Sequence, residues 1–265
     1  MGKTIFKHQL TFPLIIFYGF IVVWWIRINF FLTVSTSEIY LFGTLYSVIA
    51  LIGALQGFIA ARKWGGWSSV LGKCIIFFSY GLIGLWFGQL IWSYYNIISQ
   101  VEVPYPSLAD IGFFSIIPLY ALGSFYLGQA AGIKFVHKST AHILTVILIP
   151  LVILSVVYFV FLREFTLDIA APLRSFLDFF YPFGEGITIS IATIVFFLSY
   201  QILGGKMRNR ILCILFALIF HFITEYTFLY TVASETYTNG GYVDLMYATS
   251  FFFMSIGLIS FNNYE

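Results

Sequence analysis

The chain has 265 residues, of which 60% are hydrophobic, 21% aromatic and only 9% charged, with a net charge of +2. This composition leaves too few polar side chains to cover a water-soluble protein of that length, so a soluble domain is excluded. The small positive charge belongs to loops that flank lipid headgroups, so membrane lipids are expected partners and nucleic acid is not.

Eight hydrophobic segments follow one another along the chain, each with the roughly 20 apolar residues that a helix needs to cross a bilayer. They are continuous and rich in Leu, Ile and Phe, which favours helices over the alternating strands of a β-barrel. The predicted spans are Leu10–Phe31, Ile39–Ala61, Cys74–Ile98, Ile111–Ala131, Ala141–Leu162, Phe179–Leu203, Ile211–Val232 and Tyr242–Phe261. The predicted fold class is therefore all-α, a polytopic membrane helical bundle of about eight transmembrane helices forming one domain, 1–265.

The distribution of charge predicts the orientation of these helices. With the N-terminus inside, ten of the 13 basic residues fall in cytoplasmic segments: Lys3, Lys7, Arg62, Lys63, Lys73, Lys134, Lys138, Lys206, Arg208 and Arg210. Arg27, Arg163 and Arg174 fall outside. The positive-inside rule then predicts a multi-pass protein of the cell membrane with both termini in the cytoplasm.

An acidic residue opens every second predicted helix: Glu38, Asp110, Asp178 and Asp244, at separations of 72, 68 and 66 residues. This near-constant spacing indicates four tandem helical hairpins, roughly 10–61, 74–131, 141–203 and 211–261. Gln89 and Glu225 add to the repeat, because they precede Asp110 and Asp244 by 21 and 19 residues.

Three of the four acids follow a serine at the same offset, in the pairs that begin at Ser35, Ser107 and Ser175, while Gly241 stands in the fourth position. A serine N-cap with an acid three residues later is typical of a helix start, and negative charge is favoured there. One interpretation is that the acids are only helix caps. The alternative is that four converging caps line an outward-facing vestibule.

Two further acids lie deeper in the predicted helices. Glu185 follows Asp178 by seven residues, about 10 Å along a helix, and Glu225 lies at a similar depth in the next span. A carboxylate at that depth must face the bundle interior, find a partner or keep its proton. His221, four residues before Glu225, shares its helix face. The group could bind a cation, relay a proton or hold a polar ligand, or it could be hydrogen-bonded glue between helices.

Five stretches of the sequence carry a family resemblance. They are Trp64-Gly65-Gly66-Trp67, Gly88-Gln89-Leu90-Ile91-Trp92-Ser93-Tyr94-Tyr95, Pro104-Tyr105-Pro106-Ser107-Leu108-Ala109-Asp110, Leu177-Asp178-Phe179-Phe180-Tyr181-Pro182-Phe183-Gly184-Glu185 and Tyr242-Val243-Asp244-Leu245. Together they resemble the polytopic N-terminal membrane region of bacterial and archaeal GGDEF diguanylate cyclases and histidine kinases. The resemblance implies a sensor or input module. Because no output domain precedes Glu265, we expect a separate cytoplasmic signalling partner, or else a truncated or stand-alone relative.

Other classes of membrane protein fit the sequence less well. The last two spans have no lysine for a retinal Schiff base, and no HExxH or GxSxG motif is present, so no enzymatic activity, catalytic residue, metal site or cofactor is predicted. The predicted function is an integral membrane sensor or ligand-binding module with an outward-facing polar pocket for an unknown small ligand. The alternative is a small secondary transporter or proton-coupled carrier that uses buried carboxylates. The predicted ligand-binding residues are Glu185, Glu225, His221, Asp178, Tyr181, Asp110, Asp244 and Gln89.

Overall fold

The computed structural model describes residues 11–31, 33–133, 140–199 and 205–262, and every regular element in these ranges is helical. The eight long helices are α1 Thr11–Phe30, α2 Thr36–Lys63, α3 Val70–Ser93, α4 Ala109–Ala130, α5 Thr140–Val157, α6 Pro172–Ser199, α7 Gly205–Ala233 and α8 Tyr242–Ser260. By length and composition, all eight are long and apolar enough to cross a membrane. The predicted all-α fold with eight membrane-spanning helices is confirmed at this level.

Short helical segments modify the ends of three helices. A 3-10 turn at Gly66–Ser68 joins α2 to α3, and π-helical turns at Tyr94–Ser99 and Tyr158–Leu162 extend α3 and α5. The predicted span ends Leu10 and Leu203 lie outside the described residues. So do Lys3, Lys7, Lys134 and Lys138, which contributed to the predicted orientation.

Helix α6 begins earlier than the sequence predicted. It starts at Pro172 rather than Phe179, because a proline at the first helical position has no N–H to leave unpaired and already has a helical φ. Asp178 therefore lies in the second turn of α6. The prediction that Asp178 opens this helix is wrong. Glu185 remains seven residues further along.

Six of the helices form a closed ring of contacts. In order around the ring, α2 packs against α3, α3 against α4, α4 against α6, α6 against α7, α7 against α8, and α8 against α2. Helix α1 lies outside the ring against α2 and α8, and α5 lies outside it against α6. Only 6% of the apolar stretch of α5 is buried within the protein, so most of this helix is left for lipid.

Glycines allow α3 and α4 to approach most closely. Gly84 and Gly88 lie one turn apart on α3 and face Gly112 of α4. A Cβ atom at Gly112 would lie 2.5 Å from both the Gly84 carbonyl oxygen and the Gly88 amide nitrogen. Helices in membranes associate largely through such backbone proximity, since lipid provides no hydrophobic drive between them.

The two ends of the bundle differ in charge. We call the end where α2, α4, α6 and α8 begin the acidic end, and the opposite end, with Arg62, Lys63, Lys73, Arg208 and Arg210, the basic end. At the acidic end, the Trp25 indole and the Asn29 amide of α1 donate hydrogen bonds of 2.9 Å to the Gly241 and Gly240 carbonyls. At the basic end, Trp64 donates to the Phe261 carbonyl at 2.8 Å. Both ends of α8 are thus fixed to neighbouring segments.

The half of the ring nearest the basic end is closely packed. Gly53 lies directly against Ser255, Gly57 against Ser79, and Gly123 against the ring of Phe78. Apolar side chains such as Ile49, Ala54, Ile75, Leu215 and Leu258 are also buried at this level, together with small polar ones such as Ser124 and Ser260. The buried ionisable groups that the sequence singled out lie instead towards the acidic end.

Candidate functional site

One of the three serine and acid pairs forms a helix cap, because the Ser35 hydroxyl accepts a hydrogen bond from the Glu38 amide at 3.2 Å at the start of α2. In the second pair, Ser107 lies one residue before the N-cap Leu108. Its hydroxyl accepts from the Ala109 amide at 3.2 Å, and the Asp110 carboxylate accepts from the Ser107 amide at 2.7 Å. Both pairs therefore stabilise the start of a helix, which supports their structural interpretation.

The third pair does not cap a helix, and that prediction is wrong. Because α6 begins at Pro172, Ser175 already lies inside it, and its hydroxyl bonds to the backbone of Asp168 at 2.9 and 3.1 Å. Asp178 instead accepts a hydrogen bond of 2.7 Å from the Tyr105 hydroxyl. Arg174 lies 3.7 Å from the same carboxylate and over the Tyr105 ring.

Tyrosines hold the acids at the starts of α4 and α8. Asp110 accepts from the Tyr181 hydroxyl at 2.8 Å, and Asp244 accepts from the Tyr237 hydroxyl at 2.9 Å and the Gly240 amide at 2.5 Å. Glu38 is paired with Arg27 and also accepts from the Trp24 indole at 2.9 Å. Each of the four acids thus has its own partners, which supports the structural role rather than a shared vestibule.

Burial also affects the tyrosines in the loops at this end. It raises the pKa of Tyr105 and Tyr237 well above the ordinary tyrosine value, and the carboxylates of Asp178 and Asp244 raise it further. Both phenols therefore stay protonated and can donate to these carboxylates at any physiological pH.

A second group of polar side chains lies inside the ring, below the acidic end. His221 and Glu225 share one face of α7, with His221 Nε2 3.4 Å from Glu225 Oε1. The Tyr247 hydroxyl of α8 donates to Glu225 Oε2 at 2.9 Å, and His221 Nδ1 lies 2.9 Å from the Ser250 hydroxyl. The predicted contact between His221 and Glu225 is therefore present, and α8 supplies a partner to each.

Glu185 completes this group from α6. Its side chain is only 2% exposed, and its carboxylate interacts electrostatically with Glu225 of α7 and with the phenols of Tyr120 and Tyr226. Glu185 Oε2 has no hydrogen-bond partner among the described residues, and neither has His221 Nε2 beyond its longer contact with Glu225. A buried polar atom left in this state costs about 1–3 kcal/mol. We call Glu185, His221 and Glu225 the buried triad.

Gln89 occupies a different part of the ring. Its amide oxygen lies 3.4 Å from the Tyr46 hydroxyl, and its amide nitrogen packs against Gly43 of α2. Tyr46 stacks near Phe251, which in turn contacts the ring of Tyr247. Gln89 is thus linked to the buried triad only through aromatic side chains.

The structure divides the eight predicted site residues into separate groups. It brings His221 and Glu225 into contact, with Glu185 within electrostatic range of Glu225, whereas Tyr181, Asp110, Asp178, Asp244 and Gln89 belong to other pairs. Sequence reasoning missed Tyr120, Tyr226, Tyr247 and Ser250 as neighbours of the triad. Tyr247 and Ser250 could have been found as a pair, because two hydroxyls three residues apart share one face of a helix.

No group of three side chains of the kind that binds metal is present among the described residues. No protein-family model, curated protein or solved structure matches the chain. The chemistry of the buried triad therefore has to be argued from its own geometry.

Proposed function

We propose that the chain is a sensor-like membrane module that binds a small ligand at the buried triad. The observation that carries this proposal is the unpartnered Glu185 Oε2, on a side chain that is only 2% exposed and within electrostatic range of the Glu225 carboxylate. An unpaired carboxylate in a low-dielectric interior is unfavourable unless a proton or a ligand group satisfies it. A ligand that donates to Glu185 would remove that penalty.

The packing of the ring favours ligand binding over transport of a substrate across the membrane. The buried acids Glu185 and Glu225 and the imidazole of His221 lie towards the acidic end, while close contacts of Gly53 with Ser255 and of Gly57 with Ser79 fill the other half of the ring. A carrier needs access to its site from both sides of the membrane. The close packing between the buried triad and the basic end favours a receptor.

The proposal includes an orientation and a repeat. The basic end faces the cytoplasm and the acidic end faces outward, consistent with the concentration of Lys and Arg in the segments joining α2 to α3 and preceding α7. The four-hairpin repeat is supported by one detail: Asp110 and Asp244 each accept a hydrogen bond from a backbone amide just before their helix.

A separate cytoplasmic signalling partner would contact the basic end. Helix α7 carries His221 and Glu225 in one half and Arg210 in the other, where the guanidinium lies 6.0 Å from the rings of Trp64 and Phe261. The same rigid helix therefore connects the buried triad with the surface offered to the partner. This role also agrees with the resemblance to the membrane regions of signalling proteins.

A proton-coupled carrier is the second candidate, and the buried triad itself is the observation that favours it. Two carboxylates and an imidazole in electrostatic contact can accept and release protons within the membrane. A carrier would move protons across liposome membranes when a pH gradient is applied, whereas a receptor would not. A pH-sensitive dye trapped in the liposomes distinguishes the two.

Mass spectrometry of the purified chain tests ligand binding. The protein is isolated in mild detergent as wild type, as Glu185→Gln and as Glu102→Gln, a matched change at an exposed loop acid. We expect a co-purified small molecule in the wild type and in Glu102→Gln, and its loss in Glu185→Gln. Identical small molecules in all three samples, or none in any, would contradict the proposed binding function.

A further inference from the structure

Ser250 differs from the other hydroxyl residues of α8 in its hydrogen bond. Thr249 and Ser260 donate to carbonyls of their own helix at 2.7 and 2.6 Å, the usual arrangement for a hydroxyl inside a helix. Ser255 donates to a backbone carbonyl of α2 at 3.0 Å. Among the described residues, the Ser250 hydroxyl has a single hydrogen-bond partner, His221 Nδ1 at 2.9 Å. Ser250 is therefore directed towards a side chain that can either donate or accept.

The imidazole of His221 is enclosed by three helices. Its side chain is only 1% exposed, so the two ring nitrogens have to be satisfied within the protein. Nδ1 faces Ser250 of α8, and Nε2 lies 3.4 Å from Glu225 Oε1 on its own helix α7. The Tyr120 ring of α4 packs edge-on against the imidazole at a centroid distance of 5.3 Å. The ring is thus held with one nitrogen towards each polar neighbour.

One protonation state of the imidazole fits both neighbours. With Nδ1 unprotonated, the Ser250 hydroxyl donates to it, and the proton on Nε2 points at the Glu225 carboxylate. With the proton on Nδ1 instead, the Ser250 proton has no acceptor among the described residues, and the Nε2 lone pair faces a carboxylate oxygen. A doubly protonated ring also leaves the Ser250 proton unpaired. Because an unpaired buried donor is unfavourable, the Nε2–H tautomer is the stable one.

This tautomer gives the two buried carboxylates different roles. Glu225 Oε2 accepts from the Tyr247 hydroxyl at 2.9 Å, and Glu225 Oε1 faces the proton on His221 Nε2. Both oxygens of Glu225 are therefore engaged by the protein itself. Glu185 Oε2 has no hydrogen-bond partner among the described residues.

We propose that Ser250 is a positioning residue of the ligand site: it keeps His221 in the Nε2–H tautomer, which occupies Glu225 and leaves Glu185 as the carboxylate that contacts the ligand. This inference rests on the proposed function and deepens it by assigning separate roles to the two acids. In the other tautomer, Glu225 would lose its donor at Oε1, and a ligand could bind there without Glu185.

Solid-state NMR of the full chain in lipid bilayers tests the inference. The chain contains four histidines, so His8→Gln, His137→Gln and His142→Gln leave His221 as the one imidazole to be labelled. With carbon-13 and nitrogen-15 in that ring, the spectrum shows which nitrogen carries the proton. We expect Nε2 protonated and Nδ1 unprotonated in this reference chain.

Substitutions in α8 distinguish positioning from packing. Ser250→Ala removes the donor to Nδ1, so the ratio of the Nε2–H to the Nδ1–H tautomer should fall by about two- to tenfold, the ratio that one hydrogen bond sustains. Ser250→Thr keeps a hydroxyl and should retain the spectrum of the reference chain. Ser255→Ala is the matched control, because Ser255 is an equally buried serine of the same helix that bonds to backbone. We expect no change at His221 in this control.

Several outcomes would overturn the inference. These are a proton on Nδ1 in the reference chain, an unchanged spectrum in Ser250→Ala, and a co-purified molecule that is lost from Glu225→Gln as completely as from Glu185→Gln. The proposed function is tested separately by mass spectrometry. A molecule that co-purifies in a Glu185-dependent way with the Nδ1–H tautomer would overturn only the role of Ser250. The expected tautomer without any co-purified molecule would overturn the proposed function and support the control of His221 by Ser250.

Discussion

Replacing Gly112 with alanine tests whether the close contact of α3 and α4 holds the ring together. A Cβ atom at Gly112 would lie 2.5 Å from two backbone atoms of α3 and 2.8 Å from the Gly88 Cα. Carbon atoms prefer separations of about 3.5–4.0 Å, so the helices would have to move apart by about 1 Å. The colliding atoms belong to backbone, which cannot rotate away as a side chain can.

The expected loss of stability follows from these distances. Overpacking of this kind costs about 1–3 kcal/mol, and the separation also weakens the contacts of Gly84 and Gly88 along the same face. The higher helix propensity of alanine relative to glycine offsets about 1 kcal/mol of this loss. We therefore expect Gly112→Ala to lower the free energy of unfolding by about 1 kcal/mol.

Gly19→Ala is the matched control, because Gly19 lies on an exposed face of α1 with no atom within 4 Å of an added Cβ. We expect this variant to be neutral or more stable by up to about 1 kcal/mol. Titration of both variants with sodium dodecyl sulfate in mixed micelles, followed by tryptophan fluorescence, measures the difference. Equal stability of Gly112→Ala and Gly19→Ala would refute the account of helix packing.

Three further predictions concern the ends of the bundle. Single cysteines in intact cells should be labelled by an impermeant maleimide at Glu102→Cys but not at Arg62→Cys, and the reverse pattern would invert the proposed orientation. If Asp110 and Asp244 occupy equivalent positions in a repeat, Tyr181→Phe and Tyr237→Phe should each cost about 1.5–3 kcal/mol in the same unfolding titration, since each removes a donor to a carboxylate. The raised pKa of Tyr237 means that stability is complete below about pH 10 and falls as the unfolded phenol ionises above it. Thermal melts against pH should therefore show a smaller alkaline loss in Tyr237→Phe than in wild type.

The sequence predicted the number and type of the helices well, because a 20-residue apolar stretch is a strong signal of a membrane-spanning helix. It misplaced the start of α6 because the first turns, with Arg174 and Ser175, are too polar to register as part of a membrane span. The order of the helices around the ring could not be predicted from the sequence. A usable signal did exist for α5, whose uniformly apolar composition matches its lipid-exposed position.

The candidate site was predicted only in part, for a physical reason. Spacing along one helix identifies His221 and Glu225 as neighbours, since residues four apart share a face. The partners from other helices, such as Tyr247 for Glu225 and Tyr105 for Asp178, depend on how the helices pack. Hydrophobic patterning carries no information about these pairs, because tyrosine residues are common both in apolar helices and in loops.

Substitutions of Glu185 and Glu225 distinguish a ligand-binding role from a structural one, because the two roles predict different changes in the free energy of unfolding. Glu225 accepts a hydrogen bond from Tyr247 and contacts His221, and Gln keeps an acceptor for Tyr247 but lacks the charge, so Glu225→Gln should destabilise the protein by about 1 kcal/mol, the difference between a charged and a neutral hydrogen bond. Glu185 Oε2 has no partner to lose, so its replacement by a neutral amide of similar shape in Glu185→Gln should leave the stability nearly unchanged.

This difference between the two variants is expected if Glu185 binds a ligand, because a ligand-binding group often lowers the stability of the protein without its ligand. Glu225→Gln would then lower the melting temperature in detergent, and Glu185→Gln would lower only the affinity for the ligand. If the two variants lost the same stability, Glu185 would hold its helix in place just as Glu225 does. The buried triad would in that case be a structural contact among α6, α7 and α8, and the binding function would have lost its physical basis.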